Sequence, residues 1–250
     1  MIREAQSVRS SIEYSGYRRL RNTFFWALIV GVTVGCVSQP EIEKKDYSKL
    51  REANPRSILV VPAINKSIDV DAPDYFLSTA VRPIAERGYY VFPVHLVKRV
   101  MEDDGLSDAD LVHAADPVRL ATLFGADAVF YVSIERWDAK YAVFSTTVTV
   151  EFVYVLKSGM TGEELWRNTQ YLEYTPDNSN SSGNGLADLI AAAIVAAVEK
   201  ASPSYIPLTQ KANGLAVGSQ FRGLPAGPYR ADYGLDQADF EGIEPVVDDN

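Results

Sequence analysis

Residues 128–174 read AVFYVSIERWDAKYAVFSTTVTVEFVYVLKSGMTGEELWRNTQYLEY. Three stretches in this run suit extended chain: Ala128 to Trp137, Tyr141 to Lys157, and Glu163 to Tyr174. In the middle one Val148, Val150, Phe152, Tyr154 and Leu156 alternate with Thr147, Thr149 and Glu151, the period of a strand with one buried face. The first set is expected inward and the second outward. Ser158-Gly159-Met160-Thr161-Gly162 supplies the glycines that a tight hairpin takes at positive φ, so the three stretches form an antiparallel meander.

Upstream of the meander the pattern changes. ILVVPAIN, beginning at Ser57, is a buried-strand run, and Pro62 within it predicts a bulge or an edge position. Asp71 to Gly88 has apolar residues at helical spacing with Pro73 in the first turn, Pro83 predicting a kink and Gly88 ending it. Tyr89 to His95 reads as a second strand, Leu96 to Asp103 as a helix, and Asp116 to Phe124 as another, led in by a turn capped at Ser107 or Asp108 and stopped by Gly125. Together these elements predict an α/β domain, a compact sandwich of a mixed sheet with helices packed on it.

Downstream, residues 177–185 are a polar loop, and Leu186 to Ala201 is a helix whose apolar run of about ten residues is too short to span a bilayer. The domain is therefore placed at residues 57–207, with a Gly/Pro-rich C-terminal segment of the same domain at 208–234 and an acidic tail, 235–250, expected to be disordered.

The N-terminus carries export information. Arg3, Arg9, Arg18, Arg19 and Arg21 precede FFWALIVGVTVG, residues 24–35, an apolar core of signal-peptide length. Gly35 and the chain's one cysteine, Cys36, form the cleavage site of a lipoprotein signal peptidase, although Thr33 stands where such sites usually have Leu. Residues 1–35 are read as the signal peptide. Cys36 is the lipidation site, because its thiol alone can form the thioether to a diacylglyceryl group. Val37, rather than Asp, follows it and favours the outer membrane. Residues 36–56 are read as the lipidated cysteine and a tether, and about 20 residues reach at most about 70 Å.

Composition narrows the chemistry further. With 24 basic and 33 acidic side chains the formal charge is −9, which disfavours nucleic acid as a partner. His95 and His113 lack neighbours at metal-site or catalytic spacing. Asp69, Asp71 and Asp74 fit helix capping better than a calcium loop, and Asp103, Asp104, Asp108 and Asp110 likewise belong to helix ends. Trp137, Tyr141, Trp166 and Tyr171 are read as packing residues ahead of a sugar- or peptide-binding surface. No metal, cofactor or catalytic residue is assigned.

Four segments, PRSILVVPAINKSIDVDAPDYFLSTAVRPIAERGYYVFPVHLV, FGADAVFYVSIERWDAKYAV, SGMTGEELW and LPAGPYRADYG, closely resemble the bacterial lipoproteins grouped as domain of unknown function 799, which include a neisserial surface antigen. The resemblance covers about Pro55 to Tyr233 and implies a fold related to the amino-terminal domain of TolB and the periplasmic domain of the curli secretion channel. By that resemblance Gly162 and Trp166 belong to a hairpin and Gly125-Ala126-Asp127 to a helix-to-strand turn, all scaffold positions. It implies a non-enzymatic accessory module of the outer membrane, touching lipid through Cys36 and binding an envelope protein such as a curli-channel-like secretion component. Homo-oligomerisation stays open. The alternatives are a regulator of peptidoglycan synthesis, for which the tether is short, and an envelope hydrolase using an aspartate with His95.

Overall fold

The computed structural model describes residues 45–141, 146–174 and 205–240. The signal peptide, Cys36, the 177–185 loop and the helix expected at Leu186 to Ala201 lie outside them. Among the described residues no helix is long and apolar enough to cross a membrane.

The meander is present as β4 (Ala128–Tyr141), β5 (Thr146–Ser158) and β6 (Glu164–Tyr174), each antiparallel to the next. Tyr141 closes β4 rather than opening β5, because a register shift between Ile134 and Arg136 lets β4 keep pairing past Trp137. The earlier run divides at Pro62 into β1 (Ser57–Val60) and β2 (Ile64–Asn65), since proline offers no N–H to a ladder. Both strands pair with β4 in parallel, and β1 also pairs with β3 (Tyr90–Val91). The result is a six-stranded mixed sheet in the order β3-β1-β4-β5-β6, with β2 beside β4.

Helices cover both faces. α1 (Ser48–Ala53), α2 (Ala72–Glu86) and α6 (Ile206–Gly218) enclose an aromatic core of Phe76, Phe130, Trp137, Phe152, Tyr154 and Trp166. On the other face α3 (Val94–Asp103), α4 (Ala109–Ala114) and α5 (Pro117–Phe124) bury Val97, Met101, Val112 and Leu120 against Leu59, Val129 and Tyr131. The inward set on β5 is as expected, each of its five side chains being buried. Thr149 departs from its expected exposure. It lies on the opposite face but is only 7 % exposed, a short side chain flanked by Glu173 directly across the ladder and Tyr171 diagonally.

Several local expectations need correction. The second strand is two residues long, because Pro93 starts α3 and puts Val94, Val97 and Met101 on its buried stripe, which carries His95 into the first turn of a helix. A short helix, α4, fills the lead-in to α5, with Asp108 and Asp116 capping the two. In the β5–β6 hairpin only Gly162 has positive φ, at 75°. Gly159 is needed for space instead, since a Cβ there would lie 2.6 Å from that of Ala121.

The stretch read as tether and the start of the acidic tail also belong to the fold, and the C-terminal segment of the domain takes defined structure. Tyr47 and Leu50, within the stretch read as tether, are buried, and Tyr47 Oη donates to the carbonyl of Gly223 at 2.8 Å. Residues 206–218, most of them in the Gly/Pro-rich segment, form α6. Asn213 inside it accepts a hydrogen bond from Tyr154 Oη at 2.7 Å and donates to Thr79 Oγ1 at 2.9 Å, joining sheet, α6 and α2 through buried polar groups. The segment 224–230 closes on α2: Gly227 approaches so tightly that a Cβ there would come within 2.5 Å of the Gly88 carbonyl. The tail is ordered through Phe240, which is buried, with a 3-10 turn at Gln237–Asp239. Residues 241–250 lie outside the described residues.

Candidate interaction surface

The loop that leaves β2, level with Ile134 midway along β4, carries the most exposed apolar pair among the described residues. Asn65 builds the loop there: its Oδ1 accepts from Ser67 N at 3.0 Å and Ser67 Oγ at 2.7 Å, while its Nδ2 donates to the carbonyl of Asp69 at 2.7 Å. The polar side chains are thus used inside the loop. Ile68 and Val70 are turned out to solvent, 94 % and 85 % exposed. Two β-branched side chains exposed on a loop held by side-chain hydrogen bonds make this stretch a candidate contact surface.

Three residues further along β4, at Trp137, aromatic rings stack. The half-exposed Tyr75 lies parallel to Trp137 with ring centroids 6.4 Å apart, and Trp137 stacks on Tyr205 at 4.8 Å. Trp137 meets Phe152 edge to face at 6.1 Å, so the stack runs from the surface into the core. Its indole N–H is buried without a partner. Trp137 and Trp166 are packing residues as read, the latter donating its Nε1–H to the carbonyls of Arg222 and Gly223. Tyr171 is exposed instead, its hydroxyl donating to Glu173.

The two histidines do not converge. His95 is exposed on α3. His113 is half-buried, with Nε2 3.0 Å from the carbonyl of Pro62, which makes it the donor there, and its ring meets Tyr131 edge on at 5.0 Å. Burial pushes the His113 pKa below its ordinary 6.5, outweighing the Pro62 bond that raises it. The unfolded chain therefore binds this proton first as pH falls, so stability contributed by neutral His113 is full above about pH 6.5 and is lost below it. We expect the urea midpoint to fall between pH 7.5 and pH 5.5 by less in His113→Asn than in the parent chain. Parallel pH profiles would disprove the assignment. Desolvation also holds the Tyr131 hydroxyl up, to about 12, and its ring receives the Lys157 ammonium at 5.1 Å.

The acidic residues serve the backbone and neighbouring cations. Asp69 Oδ1 accepts from the N–H of Asp71, Asp74 pairs with Lys98 at 2.6 Å, and Asp103 pairs with Arg99 at 3.3 Å. Asp71 occupies the N-cap of α2 without a side-chain cap bond, so capping by that residue is not made. Among the described residues no three His, Cys, Asp or Glu side chains gather to hold a metal ion. A cleft of about 230 Å³ lies between α1 and the 225–237 segment, lined by Arg51, Asn54, Tyr89, Tyr233 and Asp236 among others. There Tyr233 Oη donates to Asn54 Oδ1 at 2.6 Å, and Tyr89 Oη donates to the Pro225 carbonyl at 3.1 Å.

The described residues thus form a mixed α/β sandwich, a six-stranded sheet with helices on both faces. The chain belongs to the GNA1162-like lipoprotein family, whose model matches residues 45–229. It is 34 % identical to the protein named as lipoprotein NMB1124/NMB1162 of Neisseria meningitidis serogroup B, over 67 % of this chain and 79 % of that one. Among solved structures, lipoprotein GNA1162 from Neisseria meningitidis is 33 % identical, covering 59 % of this chain and all of that one with a TM-score of 0.49. The PelC dodecamer from Paraburkholderia phytofirmans is 18 % identical, covering 62 % of this chain and 90 % of that one, TM-score 0.37. The LpoB C-terminal domain from Salmonella enterica is 20 % identical, covering 50 % and 91 %, TM-score 0.32.

Proposed function

We propose that this chain is an outer-membrane lipoprotein, anchored through Cys36 with its domain in the periplasm, that works as a non-enzymatic module binding another envelope protein. The observation that carries the reading is the exposed Ile68 and Val70 on a loop braced by the side-chain hydrogen bonds of Asn65. A partner that covers them gains about 25 cal/mol per Å² of apolar area. Membership in a lipoprotein family supports the anchor. The partner class that fits is a component of a secretion or assembly complex close to the same membrane. Regulation of a peptidoglycan synthase fits less well, because burial of Tyr47 and Leu50 takes the second half of the tether into the domain. An envelope hydrolase fits least, as His95 stands exposed on a helix and His113 is engaged with a backbone carbonyl.

The experiment joins the two claims. Radiolabelled palmitate should enter the parent chain and not Cys36→Ala, which should also escape cleavage at Gly35. In the acylated protein, photo-crosslinking residues at 68 and 70 should capture one discrete partner in cells, whereas the same residue at the exposed Leu215 on α6 should not. Label on Cys36→Ala would end the anchor reading. Equal crosslinking from 68, 70 and 215 would end the surface reading.

A further inference from the structure

We propose that the cleft between α1 and the 225–237 segment binds a neutral hexopyranose ring, one sugar unit of a glycan. The site shares no residue with the Ile68–Val70 loop, so it stands or falls separately from the binding of a protein there.

Two tyrosines supply apolar wall. Tyr89, 6 % exposed, is fixed by its bond to the Pro225 carbonyl, and Tyr233, 44 % exposed, by its bond to Asn54 on the opposite side. Rings held in this way meet the C–H side of a sugar with little further loss of side-chain freedom. At about 230 Å³ the cleft lies below the roughly 300–1,000 Å³ of sites for drug-sized ligands, which limits its occupant to about one ring.

The polar groups left over select hydroxyls. The Asp236 side chain is only 10 % exposed, and its two bonds, from Arg87 Nη2 at 3.0 Å and Ala226 N at 2.6 Å, both end on Oδ2. Its Oδ1 keeps lone pairs for a ligand. Asn54 gives its Oδ1 to Tyr233, and among the described residues neither its Nδ2 nor the side-chain amide of Gln237 has a partner. An acceptor set among amide donors matches hydroxyls, each of which both donates and accepts. Arg87 already balances the charge of Asp236, and Arg51 at the rim is exposed and not without partners, so the buried part of the cleft calls for no ion. An extended peptide takes its affinity from main-chain hydrogen bonds, and this wall has few to give. Pro225 and Pro228 have no N–H, while those of Ala226 and Gly227 go to Asp236 and the Arg87 carbonyl. The carbonyls of Pro225 and Gly227 accept from Tyr89 Oη and Arg230 N.

The test uses the full chain, isotopically labelled for NMR and held in a detergent without a sugar headgroup. Cellobiose and chitobiose are titrated while the side-chain amide signals of Asn54 and Gln237 are followed. Both amides should shift saturably with a Kd in the millimolar range, and residues 45–53, which form one wall, should be cleaved more slowly by protease when the cleft is filled. Saturation by either sugar supports the proposal, and the tighter of the two names the preferred substituent, hydroxyl or acetamido. Gln237→Ala changes an exposed side chain, and Asn54→Gly keeps a backbone φ of 40° that glycine accepts. Each should raise Kd about fivefold, the effect of one hydrogen bond. An unchanged Kd in both variants would place the binding elsewhere and overturn the assignment, as would the absence of a saturable shift at about 50 mM of either sugar. Tighter binding of glucosamine or glucuronate than of the neutral sugars would overturn the neutral ring. Shifts produced by tetraproline and not by the sugars would give the cleft to a peptide and equally overturn it.

Discussion

Phe152→Ala is expected to cost about 3–5 kcal/mol, a large part of a domain's usual stability. Phe152 is fully buried on β5, its ring 5.1 Å from Phe76 of α2 and 6.1 Å from Trp137 of β4. Truncation removes one of the ring contacts between α2 and the sheet, leaving Phe76 on Tyr154, and opens a cavity whose walls belong to two elements unable to close it without moving the strand ladder. Thr149→Ala, on the other face of the same strand, removes one methyl and one hydroxyl and should cost on the order of 1 kcal/mol or less, even though Thr149 is itself shielded. Urea unfolding of the non-acylated chain beginning at Val37 compares the two. Equal midpoint shifts would refute the face assignment, because a one-residue slip exchanges every inward side chain of β5 for an outward one.

That register was readable because β5 repeats its alternation over five buried positions, more than any local exception can mask. Elsewhere the signal was local and the answer was tertiary. The stretch from Ser202 onward is marked by recurring Pro and Gly. Yet α6 forms through it, since Tyr154 and Thr79, both distant in sequence, satisfy the buried amide that would otherwise break the helix. The stretch around Tyr47 shows charge and no apolar stripe, but one tyrosine and one leucine suffice to dock a helix of six residues whose partners come from residues 221–223. His95 was misplaced by a run of apolar residues that suits either a strand or a buried helix stripe, and Pro93 decides it. The candidate surface was legible least. Ile68 and Val70 look like strand residues in SIDVD, and only the hydrogen bonds of Asn65 within the loop turn them outward.

Asp236→Ala should be as damaging as the core truncation, and it tests the reading of the acidic end as disordered. The Asp236 carboxylate is 3.0 Å from Arg87 Nη2 with the two side chains only 10 % and 13 % exposed, and it also accepts the Ala226 N–H at 2.6 Å. Arg87 Nε is buried without a partner, so this carboxylate is the chief compensation for its charge. Removing one member of a buried pair costs about 3–5 kcal/mol, because the remaining ion stays out of water. Asp236→Asn, which can still accept from Ala226, should fall between Asp236→Ala and the parent chain in urea midpoint. Composition hid this contact: a run of acids resembles solvated tail, while the determinants are one carboxylate facing a buried guanidinium and one ring, Phe240, lying 5.4 Å from Arg87 and 5.3 Å from Tyr47. Since Phe240 packs on Tyr47, a chain ending at Gly234 should also release α1, exposing residues 45–53 to limited proteolysis. An unchanged midpoint together with an unchanged cleavage pattern in that chain would show the tail to be dispensable. Release of α1 would instead lengthen the free tether by about the span of that helix, which links the last ordered residues of the chain to the distance at which the domain is held from its anchor.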